Sequence, residues 1–285
     1  MLSLHTNNAA LSAQNSINRT QGSLSTSMTR LSTGYRINSS MDDAAGLQIA
    51  TRLKAQTSGM AVAMRNTQNS TSMLQTAEGA LDEVSNMLVR MKDLATQAAD
   101  ASSTSADKTA MQSEYDALGT ELNNVLTNTS FGGAKLLVGG TIASAMTFQI
   151  GSSTSEKMTV DMSGSMGTLV TDVGLTTANY AAPNTVGVEL TGGGASATID
   201  KLSTAIASIG AVRSSLGASA NRLEHVYNNL SNISTNSKAA TGRIMDVDFA
   251  SESSKMTTSQ MLLQAGTAML KQSNSMSSMV MSLLQ

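Results

Sequence analysis

MTTSQMLLQAGTAMLKQSNSMSSMVMSLLQ, residues 256–285, carries apolar side chains on a helical beat up to its last positions. Leu262, Met269, Met276 and Leu283 recur every seven residues, flanked by Ala265, Val280 and Leu284. A seven-residue stripe can bury its apolar edge only against a partner helix, because one helix cannot cover its own seam. Chain ends are ordinarily polar and frayed. This apolar one therefore requires cover from elsewhere in the chain or from other chains.

The matching stripe lies at the opposite end. Ala10, Ile17, Leu24 and Leu31 are seven apart, with Met28 and Tyr35 beside them, and Gly34 is placed to stop the helix. Ser39–Asp43 then offers Ser and Asp as caps for a second helix. That helix runs from Ala44 to about Ala99 without a proline, with Leu53, Met60, Thr67, Leu74, Leu81, Leu88 and Ala95 on the same beat. Unbroken, it is about 80 Å long at 1.5 Å per residue. Polar residues 100–108 read as a loop, and Met111, Tyr115, Leu118, Leu122 and Val125 as a shorter amphipathic helix. From Met146 the period falls to two: Met146, Phe148 and Ile150, then Met158, Val160 and Met162, flank the turn residues 151–155 and predict a β-hairpin. The Gly- and Thr-rich stretch to Gly194, with the only proline at Pro183, reads as a connector holding one further short strand. Leu202, Ile209, Leu216, Leu223 and Leu230 restore the seven-residue beat in a helix expected to end near Ala240.

The fold class expected is mainly α, with long heptad-patterned helices forming a coiled-coil or helical-bundle rod, a small β-hairpin region, and paired N- and C-termini.

Composition narrows the function. The net charge of −2, aromatics at only 2% and the absence of a basic stripe give nucleic acid no footing. So low a charge also does not hold copies of the chain apart. With no Cys, disulfides and thiolate metal sites are ruled out. No run approaches the ~20 apolar residues that span a bilayer, and the first twenty residues lack the basic and apolar regions of a secretory signal. His5 and His225 stand far apart without metal-ligand spacing, and no nucleophile motif appears, so no enzyme, metal site or cofactor is expected. Asp42–Asp43 and the Asp246/Asp248/Glu252 set could face a hard cation, but helix-start capping accounts for both. The many methionines read as adaptable packing rather than a soft-metal site.

Several blocks are similar to bacterial flagellins. LSTGYRINSSMDDAAGLQIATRL (31–53) and TAEGALDEVSNML (76–88) resemble the N-terminal signature of that family. SSLGASANRLEHVYNNL (214–230), GRIMDVDFASESSKM (242–256) and QMLLQAGTAML (260–270) resemble its C-terminal signature. They occur in family order, so the chain resembles a short member lacking most or all of the variable outer domain. Departures include Met41 where a polar residue is usual, and a Met-rich final stretch.

The resemblance implies a structural subunit that polymerises into the flagellar filament for motility, with terminal helices folding on assembly. It implies three parts: residues 1–43 with 245–285 as a discontinuous terminal-helix, inner-core domain, residues 44–177 with 196–244 as a discontinuous rod domain, and residues 178–195 as a short connector in place of the variable outer domain. It implies filament-core roles for Ala10, Ile17, Leu24, Leu31, Leu262, Met269, Met276 and Leu283. The rod-domain seam is then Leu53, Met60, Leu74, Leu81 and Leu88 with Leu202, Ile209, Leu216, Leu223 and Leu230. Implied partners are many further copies of the chain, a flagellin export chaperone, a filament cap and hook-associated proteins, with neither nucleic acid nor membrane insertion. Implied localisation is the extracellular filament, reached through the flagellar export apparatus without a cleavable signal peptide.

LVRMKDLATQ (88–97) further resembles the segment recognised by the flagellin-sensing Toll-like receptor of vertebrates, where Arg90, Leu94 and Glu114 match the contacts. The alternative there is a solvated helix face or a subunit contact. For the whole chain the alternative is the hook–filament junction protein, alike at both ends but not forming long filaments alone. A coiled-coil chemoreceptor domain would require a membrane span or sensor domain, and neither is read here.

Overall fold

The structure, a computed structural model, describes residues 7–283, with side chains followed through Met276. Among these residues the regular structure is seven α-helices, one 3-10 turn at Thr141–Ala143 and two small hairpins, and the chain divides into two units, one of residues 58–234 and one of residues 1–57 with 235–285. The boundaries fall inside two long helices.

Local chemistry sets most helix ends. The first helix, α1 (Asn8–Thr33), starts where the Asn7 side chain accepts the Ala10 N–H. It stops at Gly34, whose φ of 77° is left-handed, a conformation open to glycine at no steric cost. Asp43 accepts the Gly46 N–H at 2.8 Å and so opens α2 (Ala44–Ala99). A reciprocal capping box between Thr104 and Asp107 opens α3 (Ser105–Asn128), placing its start within the stretch expected to be loop.

A two-residue hairpin follows, β1 (Ser130–Phe131) with β2 (Ala134–Lys135), turning through Gly132 and Gly133. The expected larger hairpin is present as β3 (Met146–Gln149) antiparallel to β4 (Lys157–Val160). Met146 pairs with Val160 and Phe148 with Met158, and the buried side chains of Met146, Met158 and Val160 lie on its inner face.

The stretch after this hairpin corrects the sequence reading. Instead of a connector with a strand it forms α4 (Ser163–Gly174) and the short α5 (Ala178–Ala181). Met166, Leu169 and Val173 fall at helical spacing and are all buried, so packing prevails over the low helix propensity of Gly, Ser and Thr. The next helix, α6 (Ala195–Met245), continues past Gly242, five residues beyond its expected end. The last is α7 (Phe249–Leu283), whose first turn is held by the Asp248 carboxylate accepting the Ala250 N–H.

In the unit of residues 58–234 one apolar core joins α2 and α6 to α3, β3, β4 and α4. Leu74, Leu81 and Leu88 lie in it with Leu202, Ile209, Leu216 and Leu223. At its margin the Arg213 guanidinium reaches Glu78 at 2.8 Å and Asp82 at 2.9 Å, which raises the Arg213 pKa, chiefly through the Glu78 hydrogen bond. Tyr115 is fully buried and its hydroxyl donates to the Thr176 carbonyl at 2.6 Å; burial pushes its ionisation well above the usual range.

Residues 178–195 are seated on α3 by polar side chains. The amide of Gln112 donates to Asp116 and Glu189 and accepts the Leu190 N–H, while Asp116 also accepts from Asn179 and from the Gly187 N–H. These bonds satisfy the backbone of a segment whose composition alone suggests a loose linker.

Candidate assembly surface

In the unit of residues 1–57 and 235–285, α1 and α7 run antiparallel. Asn7 donates to the Ser273 carbonyl at 3.1 Å, Ile17 lies 2.9 Å from where a Cβ on Gly266 would stand, and Ser27 donates to Glu252 at 2.6 Å. Gly266 thus permits an approach that alanine would obstruct. Near the loop ends of the two helices, Tyr35 and Asp246 form an antiparallel bridge. The Arg36 N–H bonds to the Met245 carbonyl at 2.6 Å and the Val247 N–H to the Gly34 carbonyl at 3.0 Å.

The face that α7 turns to α1 consists of Glu252, Met256, Ser259, Leu263, Gly266, Leu270 and Ser273, each less exposed than its neighbours. These positions alternate by four and three residues, the spacing of a heptad seam. Ala10, Ile17, Leu24 and Leu31 are half-buried on α1. Leu262, Met269 and Met276 are not in this seam: they stand 56%, 67% and 54% exposed, beside an exposed Met261. The helix therefore carries two apolar stripes, offset by one residue or about 100° around its axis. One meets α1, and the other faces outward. The Leu283 side chain lies outside the described residues, as does His5. Leu11 and Met28 are exposed apolar side chains on α1 as well.

A polar cluster sits inside the helix pair. Glu252 is 4% exposed; besides Ser27, it has Lys255 at 3.5 Å and Arg30 at 3.9 Å, and Arg30 also reaches Asp42 at 3.6 Å. The Ser27 hydrogen bond, followed by the charges of Lys255 and Arg30, holds the Glu252 carboxyl below its ordinary value of 4.5 despite the opposing effect of burial. Because the folded value is the lower one, this stabilisation is complete above pH 4.5 and is lost as pH falls through the folded value. Acidification below pH 4.5 is expected to loosen α1 from α7, and Glu252→Gln to remove much of that pH dependence. Amide exchange along α1 as a function of pH tests this; an unchanged acid profile in the variant would show that other carboxylates control it.

The remaining candidates lie elsewhere. Leu53 is half-buried, whereas Met60, Leu74, Leu81, Leu88, Leu202, Ile209, Leu216, Leu223 and Leu230 are buried. Arg90 and Glu114 are exposed and joined by an ion pair at 2.6 Å between α2 and α3, while Leu94, at 3% exposure, belongs to the core beneath them. Among the described residues no group of His, Cys, Asp and Glu is arranged to hold a metal ion, and no helix is long and apolar enough to cross a membrane. Sequence reasoning missed the inner seam of α7 and the buried Ser27–Glu252 pair. The seam was detectable as a 3.5-residue repeat of small and apolar residues, but the pair leaves no local trace.

Two family models match. The bacterial flagellin N-terminal helical region corresponds to residues 4–141 and the bacterial flagellin C-terminal helical region to residues 199–284. Flagellin A of Vibrio anguillarum is 33% identical, with all of each chain covered. Polar flagellin F of Vibrio parahaemolyticus is 32% identical over 99% of each chain. Among solved structures, a Vibrio parahaemolyticus protein described as flagellar hook-associated superposes with a TM-score of 0.55, covering 72% of this chain and all of that one, at 17% identity. That likeness is one of fold.

Proposed function

The chain belongs to the bacterial flagellin family and is a structural, non-enzymatic subunit of the extracellular flagellar filament, and from this premise we propose that its terminal helix pair becomes fully ordered only on addition to the filament. One observation carries the proposal. Among the described residues of the unit formed by 1–57 and 235–285, only Ile37, Ala50 and Val247 are buried apolar side chains, whereas Leu262, Met269 and Met276 face outward. Ordering a residue costs about 1–2 kcal/mol of backbone entropy, and burying a Leu or Met returns about 1.5–3 kcal/mol. A pair of helices with so few buried side chains leaves most of that cost uncovered until neighbouring copies bury the outer stripe.

On this reading residues 1–43 and 245–285 are the assembly domain. Residues 44–177 and 196–244 form the surrounding domain, and 178–195 stands in for a variable outer domain. Ala10, Ile17, Leu24 and Leu31 bind the two ends to each other, while Leu262, Met269, Met276 and Leu283 meet other copies. An export chaperone that binds the C-terminal helical region would use the same outer stripe before assembly, so chaperone and neighbouring subunits exclude one another. The filament cap and hook-associated proteins are further partners consistent with family membership. Seeded polymerisation watched by electron microscopy tests the reading: long filaments are expected, and their absence would favour the hook–filament junction. The full-length flagellin relatives support the filament subunit.

Receptor recognition is a second reading, favoured by the exposure and pairing of Arg90 and Glu114. Here the Arg90–Glu114 pair forms the contact, and Leu94 supports it from below. Truncating Arg90 to alanine is expected to lower the response of cells reporting on the flagellin-sensing receptor at least tenfold, as the loss of a charge-assisted contact of about 1.5–3 kcal/mol requires. Equal responses of wild type and variant would sink the idea.

A further inference from the structure

The chain contains twenty methionines, and the structure sorts those among the described residues by access to solvent. Met60, Met87, Met91, Met111, Met146, Met158, Met162 and Met166, all in the unit of residues 58–234, are buried. Met261, Met269 and Met276 are more than half exposed and lie along the outer stripe of α7. Met28 and Met41 are exposed too, Met41 at 95%, but neither belongs to that stripe. A thioether reacts with a two-electron oxidant in proportion to its accessibility, and the product is polar and chiral where the reactant was apolar and flexible.

We infer that Met261, Met269 and Met276 are an oxidation site that controls entry into the filament. The reaction is with a peroxide of the hydrogen peroxide class. A sulfur lone pair attacks one peroxide oxygen, an S–O bond forms as the O–O bond breaks, and the departing hydroxide takes up the proton to leave as water. The thioether is oxidised by two electrons to the sulfoxide, and the peroxide is reduced. A sulfoxide oxygen is a strong acceptor that has no donor waiting in an apolar stripe, so burying it against another copy leaves it unsatisfied. The same burial shields the sulfur once a subunit has been added. Oxidation thus acts on the free subunit and spares the assembled one, and reduction of the sulfoxides restores competence.

The inference rests on the assembly reading above, and the experiment separates the two. Purified subunits and preformed filaments receive the same mild dose of hydrogen peroxide. Peptide mass spectrometry then locates added oxygen, and seeded elongation is measured. In free subunits, Met261, Met269 and Met276 should be oxidised ahead of the buried methionines, and elongation should slow at least tenfold. In filaments those three should be spared. The variant carrying Met261→Leu, Met269→Leu and Met276→Leu keeps an apolar stripe without sulfur, and peroxide treatment should not slow its elongation below its own untreated rate, whatever that rate is. Should the variant not elongate even untreated, treating oxidised wild type with methionine sulfoxide reductases A and B decides instead, with recovery expected. The inference is overturned if oxidised wild type elongates at the untreated rate with sulfoxide present at the three sites. It is equally overturned if the treated leucine variant slows as much as wild type, or if reduction restores nothing. Those results leave the assembly reading standing, because Leu262 carries no sulfur and tests that reading without oxidation.

Discussion

Subunits carrying Leu262→Asp and Met269→Asp are expected to keep the helicity and thermal stability of wild type and to lose seeded filament growth. Both side chains are more than half exposed in the free subunit, so neither contributes a core contact. Substitutions at such positions ordinarily change stability by no more than about 0.5 kcal/mol. On the proposed assembly reading the same positions become buried in the filament, where a carboxylate without a partner costs several kcal/mol. A penalty of only about 3 kcal/mol corresponds to more than a hundredfold weaker addition. Circular dichroism and electron microscopy of seeded reactions give both halves of the result. Wild-type growth rates in the variant would show that α7 meets its neighbours through another face.

The opposite behaviour is expected of Leu88→Ala. Leu88 is 0% exposed, on a seven-residue beat that resembles that of Leu262, yet it stands in a core with Leu81, Val84 and Met91. Truncating such a leucine removes transfer energy and leaves a cavity, together about 2–5 kcal/mol. A urea titration should show a lower midpoint at unchanged slope. If the loss were under about 1 kcal/mol, the core around Leu88 would have to collapse to fill the space.

The contrast between these leucines shows how far the sequence could be read. Heptad spacing reveals that a helix face is apolar but not which partner covers it. For α2 and α6 the ambiguity was small, because each helix presents one dominant row of large residues, such as Leu74, Leu81 and Leu88 or Ile209, Leu216 and Leu223. For α7 it was large. The face turned to α1 alternates Met256, Leu263 and Leu270 with the small Ser259, Gly266 and Ser273, so its apolar row is no more prominent in the sequence than the adjacent row of Leu262, Met269 and Met276. The buried Glu252 was read as a helix-start acid, since nothing within a few residues of it announces Ser27, 225 positions away. The helix at Ser163–Gly174 was hidden for another reason, its glycines and threonines having masked the spacing of Met166, Leu169 and Val173.

The bond from Asn7 to Ser273 joins positions 266 residues apart. Closing so long a loop in an otherwise unfolded chain is entropically demanding, and each halving of its length returns about 0.6 kcal/mol. Met60 packs with Leu230 close to the two points where the chain leaves the unit of residues 58–234. Once that unit has folded, the intervening chain no longer counts toward the loop, and only two terminal arms remain to find each other. The pairing of the ends thus inherits its feasibility from the middle, which makes the last contacts to form the first to be given up.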